Sequence, residues 1–233
     1  MKMDISRQLA TGFLVLGCVG SVLLAGCVVG SKVGNEETAS RLDRSLYQTA
    51  QTFERRRDYA IAVRYYRKLY QRDAKVVKAV VGLSSGLRHL QQSREAQAIV
   101  LRALKDAPKD VYLRAEQGKI QLALGKPLKA IETLSLVDTE IKGGRWDIQV
   151  AMAVAYDRIG MYEQAERRYR QALDLSPENP VIMNNFSLSL AQAGNLSEAL
   201  EILERAAALP EATPRMRQNL ALLYAMKGNL TLA

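Results

Sequence analysis

The chain has 233 residues, 48% of them hydrophobic and only 6% aromatic, which is enough to bury a core and suits Ala- and Leu-rich helices better than sheets. Both cysteines, Cys18 and Cys27, lie in the first 27 residues, so the rest of the chain offers no disulfide and no thiolate metal site. The formal charge of +9 directs attention to anionic partners, and its placement decides which.

Lys2 and Arg7 open the chain, and residues 8 to 31 then carry no charge. This is the layout of an export signal: a positive start, an apolar centre and small residues before a cut. Twenty-four uncharged residues are also long enough for an uncleaved membrane span, but Gly12, Gly17, Gly20, Gly26 and Gly30 make a poor helix. The sequence Leu24-Ala25-Gly26-Cys27 resembles the lipobox of a bacterial lipoprotein signal. That resemblance implies a signal peptide over 1–26 and acylation (palmitate among the chains) at Cys27. Because Val28 follows the cysteine, it also implies the outer membrane of a Gram-negative cell, with the protein facing the periplasm. Loss of Lys2, Arg7 and Asp4 would leave a formal charge of +8. Residues 27–42 read as the lipidated N-terminus and a Gly/Ser/Asn tether, with helix starting near Thr38 or Ser40.

From residue 43 the chain repeats. In GMYEQAERRYRQALDLSP (160–177), Tyr162, Ala165, Tyr169 and Ala172 share one helix face, bounded by Gly160 and Pro177. Its central alanine recurs as Ala62, Ala96, Ala130, Ala165, Ala199 and Ala233, at steps of 34, 34, 35, 34 and 34 residues. A small residue recurs at Gly118, Ala153, Ser187 and Ala221, a turn glycine at Gly125, Gly160, Gly194 and Gly228, and an exit proline at Pro108 and Pro177. Fixed self-similarity at this length predicts a solenoid. The pattern resembles the tetratricopeptide repeat, which implies an all-α right-handed superhelix of antiparallel helix pairs. The units are 43–76, 77–110, 111–145, 146–179 and 180–213, with a partial sixth over 214–233 that reads as a truncated hairpin. Arg57 and Gln91 stand where the turn glycine belongs, and the third unit carries one extra residue in IKGGRWD.

In such arrays the first helix of each pair lines a concave groove that takes extended peptides or partner helices. Here that implies Val150, Val154, Asp157 and Arg158, then Asn184, Asn185, Leu188 and Gln192, then Arg215, Gln218, Asn219 and Leu222. Asn185 and Asn219 lie 34 residues apart, and stacked amides there suit gripping a peptide backbone; solvated surface amides are the plainer reading. The first unit holds nine cations against four acids. Arg residues beside Tyr65, Tyr66 and Tyr70 suit RNA stacking, anionic lipid or simply a solvated face, and the expected compartment argues against nucleic acid. Trp146 is expected to pack at a repeat junction. His89 is isolated, and no hydrolase, metalloprotease or phosphate-loop motif is present, so no catalytic residue, metal or cofactor is implied.

Two segments, AVAYDRIGMYEQAERRYRQAL (153–173) and MNNFSLSLAQAGNLSEALEILERAAALPEATPRMRQNLALLYAMKGNL (183–230), resemble the TadD family of the tight-adherence (Flp) pilus system, most closely at Arg217-Gln218-Asn219-Leu220-Ala221. The resemblance implies a non-catalytic outer-membrane lipoprotein that helps a secretin pore assemble or localise. A lipoprotein regulator of a cell-wall enzyme and a type IV pilus pilotin are the alternatives.

Overall fold

A computed structural model describes residues 39–228. The signal segment, Cys27 and the end of the sixth unit fall outside the described residues. These residues form eleven α-helices and no strand: α1 (39–55), α2 (Tyr59–Arg72), α3 (Val77–His89), α4 (Ser93–Asp106), α5 (Val111–Ala123), α6 (Pro127–Glu140), α7 (Trp146–Asp157), α8 (Tyr162–Leu175), α9 (Pro180–Gln192), α10 (Leu196–Ala208) and α11 (Pro214–Met226). Residues 39–42, the end of the segment read as tether, are helical, in line with a helix start near Thr38 or Ser40. Among the described residues no helix is long and apolar enough to cross a membrane.

Local chemistry sets the helix starts. Asp110 accepts from the backbone N–H groups of Tyr112 and Leu113, both at 2.9 Å, and Asn179 accepts from those of Val181 and Ile182. Asp58, Asn195 and Thr213 cap α2, α10 and α11 in the same way. Pro127, Pro180 and Pro214 occupy first-turn positions, where a missing N–H costs nothing.

From α2 onward each helix packs on its chain neighbours, and α3, α5, α7, α9 and α11 also pack in series. The even-numbered helices make no comparable contact with one another. The odd-numbered helices therefore crowd on the inside of the curve and supply the concave surface. The repeating alanines Ala62, Ala96, Ala130, Ala165 and Ala199 are fully buried. Small residues opposite them let the helices close up: a Cβ on Gly118 would fall 2.6 Å from Leu134, and one on Gly82 would fall 2.5 Å from the Tyr66 ring. At the same register the Ser187 hydroxyl donates to the Ala199 carbonyl at 2.7 Å, so its polarity is satisfied inside the core. Tyr66, Tyr169 and Leu203 fill the space between hairpins.

The turns divide the molecule. Gly125, Gly160, Gly194 and Gly228 adopt φ between 72° and 90°, the left-handed cap conformation that glycine enters freely. Arg57 and Gln91 adopt the same conformation, at 62° and 63°, against the Cβ penalty. The extra residue of the third unit is taken up after α6, where Lys142 and Gly143 also have positive φ. A buried polar network secures that loop: Gln149 donates to Asp138 at 2.6 Å, and Arg168 donates to Asp138 at 2.9 Å and to the Gln149 oxygen at 3.0 Å.

Candidate peptide-binding groove

Two cavities lie along the odd-numbered helices. The smaller, about 340 Å³, is where sequence reasoning put the groove. Val154, Asp157 and Arg158 of α7 and Asn185, Leu188 and Gln192 of α9 line it, with Tyr169 and Ser189. Asp157 anchors the floor. It accepts from the Tyr169 hydroxyl at 2.9 Å and from the Ser189 hydroxyl at 2.6 Å. Burial raises its pKa while those two hydrogen bonds pull the other way.

The remaining expected groove residues are placed differently. Val150 is 9% exposed and belongs to the core, because its side of α7 turns towards α8 and α9. Asn184 does not line the cavity. Its amide donates to the Asn185 oxygen at 3.3 Å, and its oxygen accepts from Asn219 at 2.9 Å. The pair 34 residues apart is thus joined through Asn184, and part of its hydrogen-bonding capacity is spent inside the protein. Arg215, Gln218 and Leu222 are exposed on α11 and do not reach this cavity.

The larger cavity, about 840 Å³, lies in the N-terminal half, and sequence reasoning passed over it. Tyr47 of α1, Val77 and Val81 of α3, Tyr112 of α5 and Trp146 of α7 supply apolar wall. Trp146 does not pack into a junction as expected: it is 36% exposed, and Tyr112 is 55% exposed. Trp146 opens α7 directly after the lengthened loop, so its ring lies on the groove side of the helix start.

Charges in this cavity are largely matched within the protein. Arg88 donates to the nearly buried Glu116 at 3.2 Å, joining α3 to α5. Asp147 receives Lys119 and is gripped by Arg145 Nε and Nη2, at 3.0 and 2.7 Å. Burial by itself would raise the Asp147 pKa, but Lys119 and the hydrogen bonds from Arg145 and Lys119 outweigh it and pull the group down to about 2. The Arg145 guanidinium also lies 5.2 Å from the Tyr112 ring centre, and its Nη1 is a buried donor with no acceptor among the described residues. Lys78 Nζ stands 4.9 Å from the Tyr47 ring. Glu54 takes the Tyr66 hydroxyl at 2.6 Å. This is the same acid–tyrosine bond as Asp157–Tyr169 in the smaller cavity. Together the cavity offers exposed rings, aliphatic wall and oriented polar groups, the makings of a protein-binding surface. Beside it, the His89 ring stacks on Tyr59 with centroids 4.0 Å apart. Burial, then Arg88, Arg57 and Lys119, depress its pKa to about 4.

The signal that marks the larger cavity is the repeat register itself. Lys78, Tyr112 and Asp147 each hold the second position of an odd-numbered helix in successive units, and all three line it.

Comparison with known proteins agrees with the fold. The tetratricopeptide-repeat family profile matches residues 159–223. A thermophilic TPR protein of Thermus thermophilus superposes with a TM-score of 0.71 at 15% identity, over 78% of this chain and 99% of that one. PilW, a widely conserved type IV pilus biogenesis factor, superposes with a TM-score of 0.64 at 17% identity, over 82% of this chain and 88% of that one. The fold is a tetratricopeptide-repeat solenoid. In sequence, 82 residues are 37% identical to a TPR repeat-containing thioredoxin of Arabidopsis thaliana, and the match spans 35% of this chain and only 12% of that protein. Arrays of this kind are in general protein-binding modules without catalytic function.

Proposed function

We propose that this protein is a lipid-anchored adaptor for Flp (tight-adherence) pilus assembly, facing the periplasm from the outer membrane. The lipobox-like Leu24-Ala25-Gly26-Cys27 supports the anchor, and the resemblance of residues 153–230 to the TadD family supports the pilus system. The fold likeness to a type IV pilus biogenesis factor is in keeping with that reading.

The observation that carries the adaptor role is the cavity of about 840 Å³ walled by Tyr47, Tyr112 and Trp146. Exposed aromatic rings on a rigid helical frame bury much area at little entropic cost, which suits the capture of a partner segment. Helix α7 contributes to both cavities, so a segment seated at Trp146 continues towards Asn185. The partner we assign is a secretin subunit. Confining its segment to the membrane plane raises its local concentration and favours ring assembly. No covalent step is involved.

The test compares secretin multimers in membranes from cells carrying the intact gene, a deletion, or Cys27→Ser. Loss of heat-resistant multimers in the deletion and in Cys27→Ser is the expected outcome. Normal multimers together with altered cell-wall cross-linking would instead favour a regulator of a cell-wall enzyme.

A further inference from the structure

The first hairpin carries a second surface that the adaptor role does not use. The outer side of α2, against the end of α1, encloses a cavity of about 590 Å³ lined by Phe53, Ile61, Tyr65, Arg64, Arg67 and Lys68, with Gln71 at its edge. Phe53 and Tyr65 stack in its floor, with ring centres 5.9 Å apart and planes within 6°. Lys68 Nζ lies 5.6 Å from the Tyr65 ring, and Arg64 and Lys68 are exposed one turn apart.

The carboxylates nearby are already committed. Asp43 takes Arg72, Glu54 takes the Tyr66 hydroxyl, Asp58 caps α2, and Asp73 accepts from the Lys75 backbone. Arg67 reaches across to Glu95 at 2.7 Å. Arg55, Arg56, Arg57, Arg64, Lys68 and Lys75 are exposed and have no carboxylate partner among the described residues. Arg64 and Lys68 are thus unpaired cations set beside half-buried aromatic rings, and Arg55–Arg57 follow at the adjoining turn. Sequence distance adds a second constraint: twelve steps of chain separate Cys27 from residue 39, at most about 40 Å fully extended.

We propose that this face docks on the anionic surface of a phospholipid bilayer. The placement rests on the reading of Cys27 as the anchor; the charge does not. Each exposed cation near an anionic surface is worth about fivefold in partition, and the attraction fades within a Debye length. The tyrosine and the lysine stem suit the interface, where an amphipathic side chain keeps its polar end in water. Docking here leaves the groove on the odd-numbered helices free for the partner.

The experiment takes the full mature protein, purified from membranes and reconstituted into nanodiscs of phosphatidylcholine alone or mixed with phosphatidylglycerol. Tryptic cleavage in the Arg55–Arg57 turn is followed against cleavage at the exposed Lys142 loop as an internal control. The expected result is cleavage near Arg55–Arg57 slowed about tenfold on the anionic discs, with Lys142 unaffected. High salt, or the surface variant Arg64→Glu/Lys68→Glu, restores the rate. Equal rates on the two discs, with the acyl mass present on Cys27, overturn the docking and leave the anchor standing. If Cys27 carries no lipid, flotation of the full chain with phosphatidylglycerol vesicles decides. Flotation that Arg64→Glu/Lys68→Glu abolishes supports docking, and its absence overturns it. Slowing that requires an added acidic protein or nucleic acid, and not the lipid, also overturns it.

Discussion

The two halves of the solenoid solve the same packing problem with different care. From α5 onward the turns inside each hairpin carry glycine at Gly125, Gly160, Gly194 and Gly228, non-glycine residues at positive φ (Lys142, Glu178) fall only between hairpins, and the family profile matches only residues 159–223. In the first two units Arg57 and Gln91 hold the same left-handed turn at a cost, and Arg64 and Lys68 stand exposed on α2 beside the stacked Phe53 and Tyr65 rings. The groove divides likewise. Its C-terminal cavity is small, and its Asn185 already accepts from the neighbouring Asn184, whereas the N-terminal cavity is more than twice as large and exposes aromatic rings. The regular half shows what the repeat needs in order to fold. The irregular half shows where side chains answer to something other than folding.

The largest expected effect tests whether the regular half depends on its buried tyrosine. Tyr169 is 1% exposed and stacks on Phe186 at 5.4 Å. Tyr169→Ala is expected to cost about 3–5 kcal/mol through the cavity left behind, and to leave Asp157 with only Ser189. Urea denaturation measures it, and a loss under 1 kcal/mol would mean the hairpins support one another more loosely than described.

Next comes the joint between the third and fourth units. Asp147 ties Lys119 of α5 to Arg145 at the start of α7. Its carboxyl is held at about 2 in the folded protein, below the ordinary aspartate value of 3.8. The stability it supplies is therefore complete above about pH 4 and is lost as pH falls towards 2. Asp147→Asn should cost about 2 kcal/mol at neutral pH and flatten the acid limb of the stability curve.

His89 gives the irregular half its own pH response. Its folded pKa is about 4 against 6.5 for the free group, so the unfolded chain takes up the proton first. Stability falls as pH drops from about 6.5 to 4, and His89→Phe removes that slope. The ring is covered on the side that stacks on Tyr59 but more than a third of the residue is exposed, so solvent screening keeps the effect to roughly 1 kcal/mol.

The smallest effect erases the contrast in the turns. Arg57→Gly and Gln91→Gly should each stabilise by about 0.5–1 kcal/mol, because φ near 62° costs glycine nothing. Melting temperatures report the gain, and a loss at either position would mean that its side chain contributes more than its backbone costs.

Much of this was legible in the sequence, for a specific reason. The alanine spacing and the turn glycines are backbone requirements, and Ala62, Ala96, Ala130, Ala165 and Ala199 are all buried accordingly. Arg57 and Gln91 stand in the sequence where the turn glycine belongs, and both adopt its left-handed conformation. The groove was harder to read. Val150 shares the helix face of Val154 and Asp157, at spacings of four and seven, yet it is covered by the core cluster it forms with residues of α8 and α9. Asn219 pairs with Asn184 and not with its equivalent Asn185, because offset between stacked helices does not follow repeat arithmetic. Trp146 faces the larger cavity and not the junction assigned to it, since the inserted residue before α7 changes what a junction residue faces.

The most direct measurement is photo-crosslinking in native membranes, with the reactive group at position 112 in one strain and at position 185 in another. The account predicts a secretin adduct at 112, a weaker one at 185, and loss of both with Trp146→Ala. Adducts only to a cell-wall synthase, or no secretin adduct at either position, would contradict it.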